Sequence, residues 1–509
     1  MNNINNPIIE TTAGKLKGLF EDGLYVFKGI PYAEPPTGKL RWMPPEPRKP
    51  WRGVRSALKF GAISVQKQIN PGTQFQTIEP FSEDCLFLNV WTPGLDNARR
   101  PVLFWIHGGG FQSGAGSLPL YRGSLLAKRG DVVVVTINYR VGVFGFMNWY
   151  EITGGKIPAS GNEGLLDQML ALKWVQDNIA RFGGDPDNVT VFGESAGSMS
   201  ISCMLSMDQA RGLFQKAIME SGGPNVVRPL DTVVKIAGMY LEVLGLKNTD
   251  VEALKSVSSR TLLSAHMKVA AKTGGVTPTE PVLDGRVIKV KPMDKIRAGS
   301  ASHIPVVTGV TRDETKFFSL RDPSIRNIDE AGVVKKVGIL VGDKAVEMIE
   351  IYRQARAKRG MSIKPYDVLT AIRTDAMFRV PLIRIVEAQY MNKQKAYNYL
   401  FTWESPMNGG VLGACHTLEM GFIFGTLPPH YCGTGPVVER LSANMQDAWI
   451  AFARSGDPSC PGLGQWPEYG EKRKTMILGA KCYVEEAPLE EERTAWNDIG
   501  EISPALALG

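Results

Sequence analysis

The segment "NVTVFGESAGSMS", residues 188–200, places a serine between two glycines where β-branched and aromatic residues give way to small ones. Residues 189–193 are therefore predicted to form a strand that ends at Ser195, with a helix beginning directly after it. The backbone at such a strand-to-helix turn is strained, and the residues two positions away on each side must be small. Gly193 and Gly197 satisfy this requirement.

This turn predicts a nucleophile at Ser195. The following helix directs free N–H groups and the positive end of its dipole toward the serine, which favours a reaction that generates an oxyanion. The pattern G-x-S-x-G is moderate evidence by itself, and its position between a strand and a helix strengthens it.

A second glycine-rich segment, "WIHGGGFQSG" at residues 105–114, meets the same chemical need. Three glycines after a strand allow the backbone to turn its N–H groups toward a common point. By itself the segment is also typical of a tight turn. Combined with the Ser195 turn, it predicts an oxyanion hole formed by Gly109, Gly110 and the N–H group of Ala196.

The rest of the chain alternates strand and helix signals. Nearly continuous apolar runs indicate strands that are covered on both faces, and they lie at 101–106, 131–137, 189–193 and 304–310. Between two of these strands, apolar residues recur at helical spacing: Leu165, Met169, Leu172, Val175 and Ile179. This order predicts crossover connections and an α/β fold, in which a parallel sheet has helices on both faces.

Length and composition are typical of one large enzyme domain. The 509 residues include 43% hydrophobic and 21% charged residues, and no repeat or low-complexity linker interrupts them. We therefore expect a single domain, residues 1–509, in which helix-rich insertions at about 228–300 and 325–395 lie above the sheet.

Charge, the N-terminal segment and the cysteines exclude several classes of protein. The net charge is +7, but the short basic clusters lack the aromatic residues of a nucleic-acid surface. Residues 1–14 do not form a secretory signal, and the apolar run at 132–137 is too short to cross a membrane. Six scattered cysteines without a C-x-x-C pair indicate reduced thiols. We expect a cytoplasmic protein with no nucleic-acid or membrane partner.

A catalytic serine needs a base, and the chain has five histidines. In this type of fold the partners follow in the order serine, acid, histidine. His416, in the small-residue loop "GACHTLEM", and His430, in the turn-like segment "LPPHYCG", both satisfy that order. The loop of His416 suits a histidine that faces a cleft, so His416 is favoured over His430.

The sequence identifies the acidic partner of the histidine less clearly than it identifies the base. Asp313 and Glu314 are adjacent at the end of a predicted strand, where a carboxylate could hold the second nitrogen of the imidazole. The spacing does not choose between them. Asp167 is a third candidate, but it precedes the serine, so an ion pair with Arg140 is the more ordinary interpretation.

Taken together, these segments resemble the type-B carboxylesterases, a family of α/β-hydrolases that includes para-nitrobenzyl esterases, liver carboxylesterases and cholinesterases. The matching segments extend over nearly the whole chain and include "FKGIPYAEPPTGKLRW", "SEDCLFLNVWTP", "WIHGGGF", "INYRVGVFGF", "GESAG", "AIMESGG", "GVTRDE", "TDAMFRVP" and "GACHTLEMGFIFG". The resemblance implies the α/β-hydrolase fold, with a central, mostly parallel twisted sheet, helices on both faces and helical insertions over the active site.

The resemblance also implies roles for individual residues. The family's triad consists of the serine of "GESAG", the glutamate of the "DE" pair and the histidine of the "HTLEM" loop. These correspond to Ser195, Glu314 and His416 in this sequence. Glu194 and Ser221 match positions that the family places around the triad.

Four further charged residues match structural ion pairs of the family. Arg41 is expected to pair with Glu83, and Arg140 with Asp167.

Two departures from the family pattern bear on location and substrate. Secreted relatives bridge the cysteine of "EDCLFLN" to an upstream cysteine, but Ser64 stands where the partner of Cys85 would be. The loop between them also lacks the tryptophan with which cholinesterases hold a quaternary ammonium. Cys85 is therefore expected to be unpaired, and choline esters are not expected to be preferred substrates.

The sequence thus predicts a serine carboxylesterase that hydrolyses small-molecule esters, with short-to-medium acyl or aryl groups, through an acyl-enzyme. No metal or organic cofactor is implied, and we expect a monomer. An amide- or carbamate-cleaving enzyme with the same triad is one alternative, and an adhesion protein on the same scaffold is another, disfavoured by the intact triad. Cys415, beside His416, is interpreted as a packed side chain rather than a nucleophile.

Overall fold

A computed structural model describes four stretches of the chain, residues 6–67, 75–273, 278–319 and 322–508. The first five residues of the N-terminal segment, and seven residues of the loop without tryptophan, lie outside the described residues. Within the described residues, fourteen strands form two sheets.

The strands are β1 (Ile8–Glu10), β2 (Lys15–Lys17), β3 (Leu19–Glu21), β4 (Leu24–Pro31), β5 (Val54–Ser56), β6 (Phe87–Thr92), β7 (Arg100–Ile106), β8 (Val133–Ile137), β9 (Gly184–Glu194), β10 (Lys216–Glu220), β11 (Val306–Thr311), β12 (Ala396–Phe401), β13 (Lys474–Leu478) and β14 (Tyr483–Glu486).

The α-helices are α1 (Ser124–Gly130), α2 (Glu163–Asn178), α3 (Ala196–Met204), α4 (Leu230–Leu244), α5 (Val251–Ser256), α6 (Ser259–Lys272), α7 (Pro292–Arg297), α8 (Lys316–Ser319), α9 (Pro323–Arg326), α10 (Glu330–Val341), α11 (Ala345–Lys358), α12 (Pro365–Thr374), α13 (Val380–Met391), α14 (Leu418–Ile423), α15 (Pro429–Cys432), α16 (Pro436–Ser455), α17 (Glu490–Thr494) and α18 (Pro504–Leu508). A π-helical turn, Asp375–Arg379, joins α12 to α13.

The larger sheet has the strand order β14-β13-β12-β11-β10-β9-β7-β8-β6-β4-β3. The strands from β13 to β8 in this order are parallel, which confirms the predicted mostly parallel sheet. Antiparallel strands flank them at both edges. The remaining strands form a small sheet of order β1-β2-β5.

Both faces of the central strands are buried, as the continuous apolar runs predict. In β7, Val102 and Phe104 pack into one hydrophobic cluster, whereas Leu103 and Trp105 pack into a second. The first cluster includes residues of α2, α3 and α13, and the second includes residues of α1, α14 and α16. Helices therefore cover the sheet on both sides.

The helical spacing between the predicted strands corresponds to α2. Leu165, Met169, Leu172 and Val175 lie on this helix and are buried. Ile179 follows it in a short 3₁₀ turn. The regions predicted to be helix-rich insertions contain α4 to α7 and α9 to α13.

Three adjacent parallel strands, β9, β10 and β11, end at the candidate site. Glu194 at the end of β9 is in register with Glu220 at the end of β10, and Glu220 with Gly309 of β11. The segments that follow these strands therefore meet at one edge of the sheet, where open α/β sheets usually bind ligands.

Both ion pairs expected from the sequence are present in the structure. Arg140 Nη2 lies 2.7 Å from Asp167 Oδ1, and both side chains are buried. Arg41 Nε donates to Glu83 Oε2 at 2.7 Å. Removing one partner of a buried ion pair leaves an uncompensated charge. Each pair therefore stabilises the two segments of the chain that it joins.

The six cysteines all lie in the described part of the chain and carry free thiols. Cys85 is buried and unpaired, and the hydroxyl of Ser64 accepts a hydrogen bond from Val141 N–H at 3.1 Å. Among the described helices, none combines the length and the apolar character that a membrane span requires.

Candidate active site

Ser195 occupies the strained turn that the sequence predicts. It lies between the end of β9 and the start of α3, with φ 55° and ψ −121°. Its N–H donates to Glu220 O at 2.9 Å, which ties the turn to β10. A non-glycine residue keeps such a conformation only where its surroundings enforce it, and such residues cluster at active sites.

The glycines on each side of Ser195 allow the turn to pack closely against β7. A Cβ atom on Gly197 would lie 2.0 Å from the carbonyl oxygen of Ile106 in β7, and a Cβ atom on Gly193 would lie 2.8 Å from it. Both distances are impossible for a real side chain. The helix, the turn and β7 therefore approach each other as closely as their backbones permit.

The glycines of the loop after β7 line the same cavity as Ser195. Gly109 and Gly110 have positive φ values of 111° and 62°. No described residue accepts a hydrogen bond from the N–H of either glycine. Ala196 is the first residue of α3, and its N–H has no acceptor within the helix. Three unpaired donors are thus available near Ser195.

Glu314 is held in the turn after β11 by two donors. Its Oε1 accepts a hydrogen bond from Ser221 Oγ at 2.6 Å and from Thr311 N at 2.8 Å. Its Oε2 lies 2.6 Å from Nδ1 of His416. One oxygen of Glu314 therefore faces the imidazole, while the hydrogen bonds to the other oxygen fix the orientation of the carboxyl.

Asp313, which the spacing alone leaves as an alternative, points elsewhere. Its Oδ2 accepts from Ala414 N at 3.0 Å and pairs with Arg312 at 2.7 Å. Burial alone would raise the pKa of this carboxyl, but Arg312 and Lys316 outweigh burial and lower it. Asp313 is an ion-paired support of the loop that carries His416.

The imidazole of His416 is buried and clamped on several sides. The ring of Phe378, from the π-helical turn, stacks on it with a centroid distance of 4.9 Å. Nε2 lies 3.0 Å from Glu194 Oε1, outside hydrogen-bonding alignment, and no described residue hydrogen-bonds to Nε2. This nitrogen is therefore available on the cavity side.

The other candidates lie outside this arrangement. His430 is exposed on α15. Cys415 is buried, with its sulfur 3.5 Å from Tyr431 Oη, and burial raises the pKa of its thiol to about 12. A thiol with that pKa stays protonated, so it is a poor nucleophile.

Three buried glutamates surround the site, and sequence reasoning found only Glu194. Glu220 and Glu419 are the others, and burial is the main cause that raises the pKa of all three carboxyls. Burial thus favours the protonated form of each carboxyl. The available signal was an acidic residue directly after an apolar run, as in "AIME" of β10.

Ser221 links Glu314 to Glu419. Its Oγ lies 2.6 Å from Glu314 Oε1 and 3.2 Å from Glu419 Oε1, within donating distance of both. Ser221 therefore contacts the carboxyl of Glu314 on the oxygen that does not face His416.

These residues border one cavity of about 390 Å³. Ser195, His416, Gly109, Gly110 and Glu194 line it directly, whereas Glu314 and Ser221 stand behind His416. The rest of the wall is mainly aromatic and aliphatic: Phe75, Phe111, Leu118, Tyr121, Met199, Phe317, Phe318, Met377 and Phe378. In the described part of the chain, no group of three metal-ligating side chains comes together as a metal site.

Comparison with known proteins identifies the family. A sequence model described as the carboxylesterase family matches residues 5–496. The chain belongs to the carboxylesterase family. The fold and the enzyme class inferred from the sequence are therefore confirmed, and the protein is a carboxylic ester hydrolase.

Individual relatives of this carboxylesterase match over almost their full length. Para-nitrobenzyl esterase of Bacillus subtilis (strain 168) is 38% identical over 498 residues, which cover 96% of this chain and 98% of that protein. Phenmedipham hydrolase of Pseudarthrobacter oxydans is 37% identical over 493 residues, covering 94% and 96%. A crystal structure of a Geobacillus stearothermophilus carboxylesterase matches with a TM-score of 0.88 at 40% identity, covering 96% of this chain and 100% of that one.

The close approach at the serine turn gives a direct prediction. Gly197→Ala must displace α3 from β7, because the new methyl group would meet the backbone oxygen of Ile106. Since a misplacement of about 1 Å can cost 10²-fold, we expect kcat/KM of the carboxylesterase for para-nitrophenyl butyrate to fall by about 10²-fold or more.

The matched control is Gly338→Ala in α10, where an added Cβ atom meets open space. Alanine favours a helix over glycine, so this variant should keep wild-type activity. Wild-type kcat/KM in Gly197→Ala would show that the tight contact does not position the nucleophile.

Proposed function

We propose that this carboxylesterase hydrolyses its substrates through an acyl-enzyme on Ser195, with His416 as general base and Glu314 as the acid that orients it. The observation that carries the proposal is the 2.6 Å contact between Glu314 Oε2 and His416 Nδ1 beside the cavity that Ser195 lines. An ionised carboxylate at Nδ1 holds the imidazole in the tautomer whose Nε2 can accept a proton.

The reaction then proceeds in two halves. His416 Nε2 takes the proton of Ser195 as Oγ attacks the ester carbonyl, and the N–H groups of Gly109, Gly110 and Ala196 hold the oxyanion. The tetrahedral intermediate collapses when His416 returns the proton to the leaving alcohol. Water repeats the same steps on the acyl group and frees the serine.

The surroundings of Glu194 support this assignment. It lies beside Nε2, and burial holds the pKa of its carboxyl well above the usual range. Burial therefore disfavours a negative charge on Glu194, and the carboxylate that we assign to His416 is Glu314, which contacts Nδ1. We propose that Glu194 and Ser221 position the triad without exchanging protons with substrate.

The cavity supports small-molecule esters with short-to-medium acyl or aryl groups. Its volume of about 390 Å³ is in the range that holds small ligands, and its aromatic wall suits apolar and aryl groups. The name of the Bacillus subtilis relative, para-nitrobenzyl esterase, agrees with this class. We further propose a monomeric protein with a cytoplasmic location, the latter supported by its six free thiols.

Hydrolysis of para-nitrophenyl butyrate by wild type and by Ser195→Ala tests the nucleophile. Removal of a triad serine is expected to lower kcat by about 10⁴-fold or more. Circular dichroism of both proteins controls for folding, and the matched para-nitroanilide measures amide cleavage. Comparable ester hydrolysis by both proteins would remove Ser195 from the mechanism, and faster anilide than ester cleavage would assign an amidase.

The adjacent acidic residues provide a matched pair of variants for the acid. Glu314→Gln should lower kcat by about 10⁴-fold, because an amide in this position no longer selects the tautomer and charge that His416 needs. Asp313→Asn should retain kcat within about tenfold while lowering thermal stability, because it removes the buried one of the two carboxylates that pair with each of Arg312 and Lys316. The reverse pattern in kcat would make Asp313 the catalytic acid.

A further inference from the structure

One carboxylate lines the cavity without a place in the proposed reaction. Glu280 is 4% exposed and borders the same cavity as Ser195 and His416. Its Oε2 accepts a hydrogen bond from Nε of Arg228 at 2.8 Å. No described residue donates to its second oxygen, Oε1. The cavity wall thus contains a carboxylate with one oxygen to which no described residue donates.

The backbone holds Glu280 in a fixed place. The segment after it forms a bridge with the segment of Arg228, through Arg228 N to Pro281 O and Leu283 N to Arg228 O, both at 2.9 Å. On the other side, Asn162 exchanges two hydrogen bonds with the backbone of Val282, also at 2.9 Å. A group held from two sides is preorganised to recognise a ligand.

The charge of the pair selects the kind of ligand. Arg228 compensates the carboxylate, so a cationic ligand would bring an uncompensated charge into a buried site. A neutral hydroxyl or N–H group would satisfy Oε1 without changing the net charge. A ligand that placed only an acceptor or a methyl group there would leave the carboxylate oxygen unsatisfied, which is costly in a buried site.

We propose that Glu280 is a specificity-determining residue that accepts a hydrogen bond from a neutral hydroxyl or N–H group of the ester substrate. The proposal rests on the proposed function, because the substrate must occupy the cavity beside Ser195. A cavity of this size allows one small ester to reach both residues. Sites built to bind a substrate hydroxyl discriminate strongly against analogues that lack it.

Two pairs of near-isosteric esters test the proposal, one for each side of the ester bond. The alcohol side is tested with meta-(hydroxymethyl)phenyl butyrate against meta-ethylphenyl butyrate, and the acyl side with phenyl ω-hydroxyhexanoate against phenyl heptanoate. Acid release is followed in a pH-stat above neutral pH, because burial raises the pKa of Glu280 to about 7 although Arg228 opposes that rise.

Wild type should prefer the hydroxyl ester of at least one pair. In Glu280→Gln the amide oxygen takes the hydrogen bond of Arg228, and the amide nitrogen offers a substrate hydroxyl only a neutral hydrogen bond in place of a charge-assisted one, so the preference should fall by about tenfold. Met377→Leu alters the wall without adding or removing a hydrogen-bonding group of this kind, and it should keep the preference.

The double variant Arg228→Met/Glu280→Met covers the case in which the single variant does not fold, because it leaves no unpaired charge. It should also lose the preference. Equal kcat/KM values within both wild-type pairs, or a preference that survives in the variants, would overturn the role of Glu280 while leaving the triad intact. Hydrolysis of neither pair by wild type, or equal hydrolysis by Ser195→Ala, would overturn the proposed function as well.

Discussion

The site depends on a contact between two backbones, the approach of Gly197 in α3 to the carbonyl oxygen of Ile106 in β7. This contact, with the hydrogen bond from Ser195 N–H to Glu220 O, forces the serine to φ 55°. Strain of this kind costs about 1–3 kcal/mol for one residue, and the surrounding structure must over-determine it. A parallel sheet buried on both faces provides that rigidity.

The electrostatics of the site follow from the same burial. Four glutamates lie close together behind and beside the cavity, and burial opposes the ionised form of three of them. Glu194, Glu220 and Glu419 have their pKa values raised chiefly by this burial. Glu314 differs in its surroundings, because Ser221, Thr311 N–H and His416 all hydrogen-bond to it. Hydrogen bonds thus direct one carboxyl of the four, that of Glu314, toward the imidazole.

The features that the sequence predicted are those set by local constraints. The serine turn, the glycine-rich loop, α2 and the central strands each follow from residues near one another in the chain, and the structure contains all of them. The choice between Asp313 and Glu314 did not follow from the sequence, because adjacent residues have the same spacing and only the turn after β11 directs one toward His416. The resemblance to a family favoured Glu314 where the spacing could not.

The features that could not be predicted from the sequence depend on residues from distant segments of the chain. Phe378 reaches His416 from a π-helical turn, and Glu280 reaches the cavity wall from the segment that pairs with Arg228. No local pattern marks Glu280, and the segment "TDAMFRVP", which contains Phe378, does not by itself reveal the contact with His416. The antiparallel edge strands were also missed, and β14, for example, is exposed along its length and therefore lacks an apolar run.

We propose that the turn makes Ser195 the nucleophile. The most direct test of this claim is to quench the enzyme with acid during turnover of para-nitrophenyl butyrate and to map the acylated residue by peptide mass spectrometry. We predict one butyryl group on the peptide that contains Ser195, with fragment ions that place it on that serine. A butyryl group on another residue, or unmodified Ser195 during a steady state in which deacylation limits the rate, would contradict the claim.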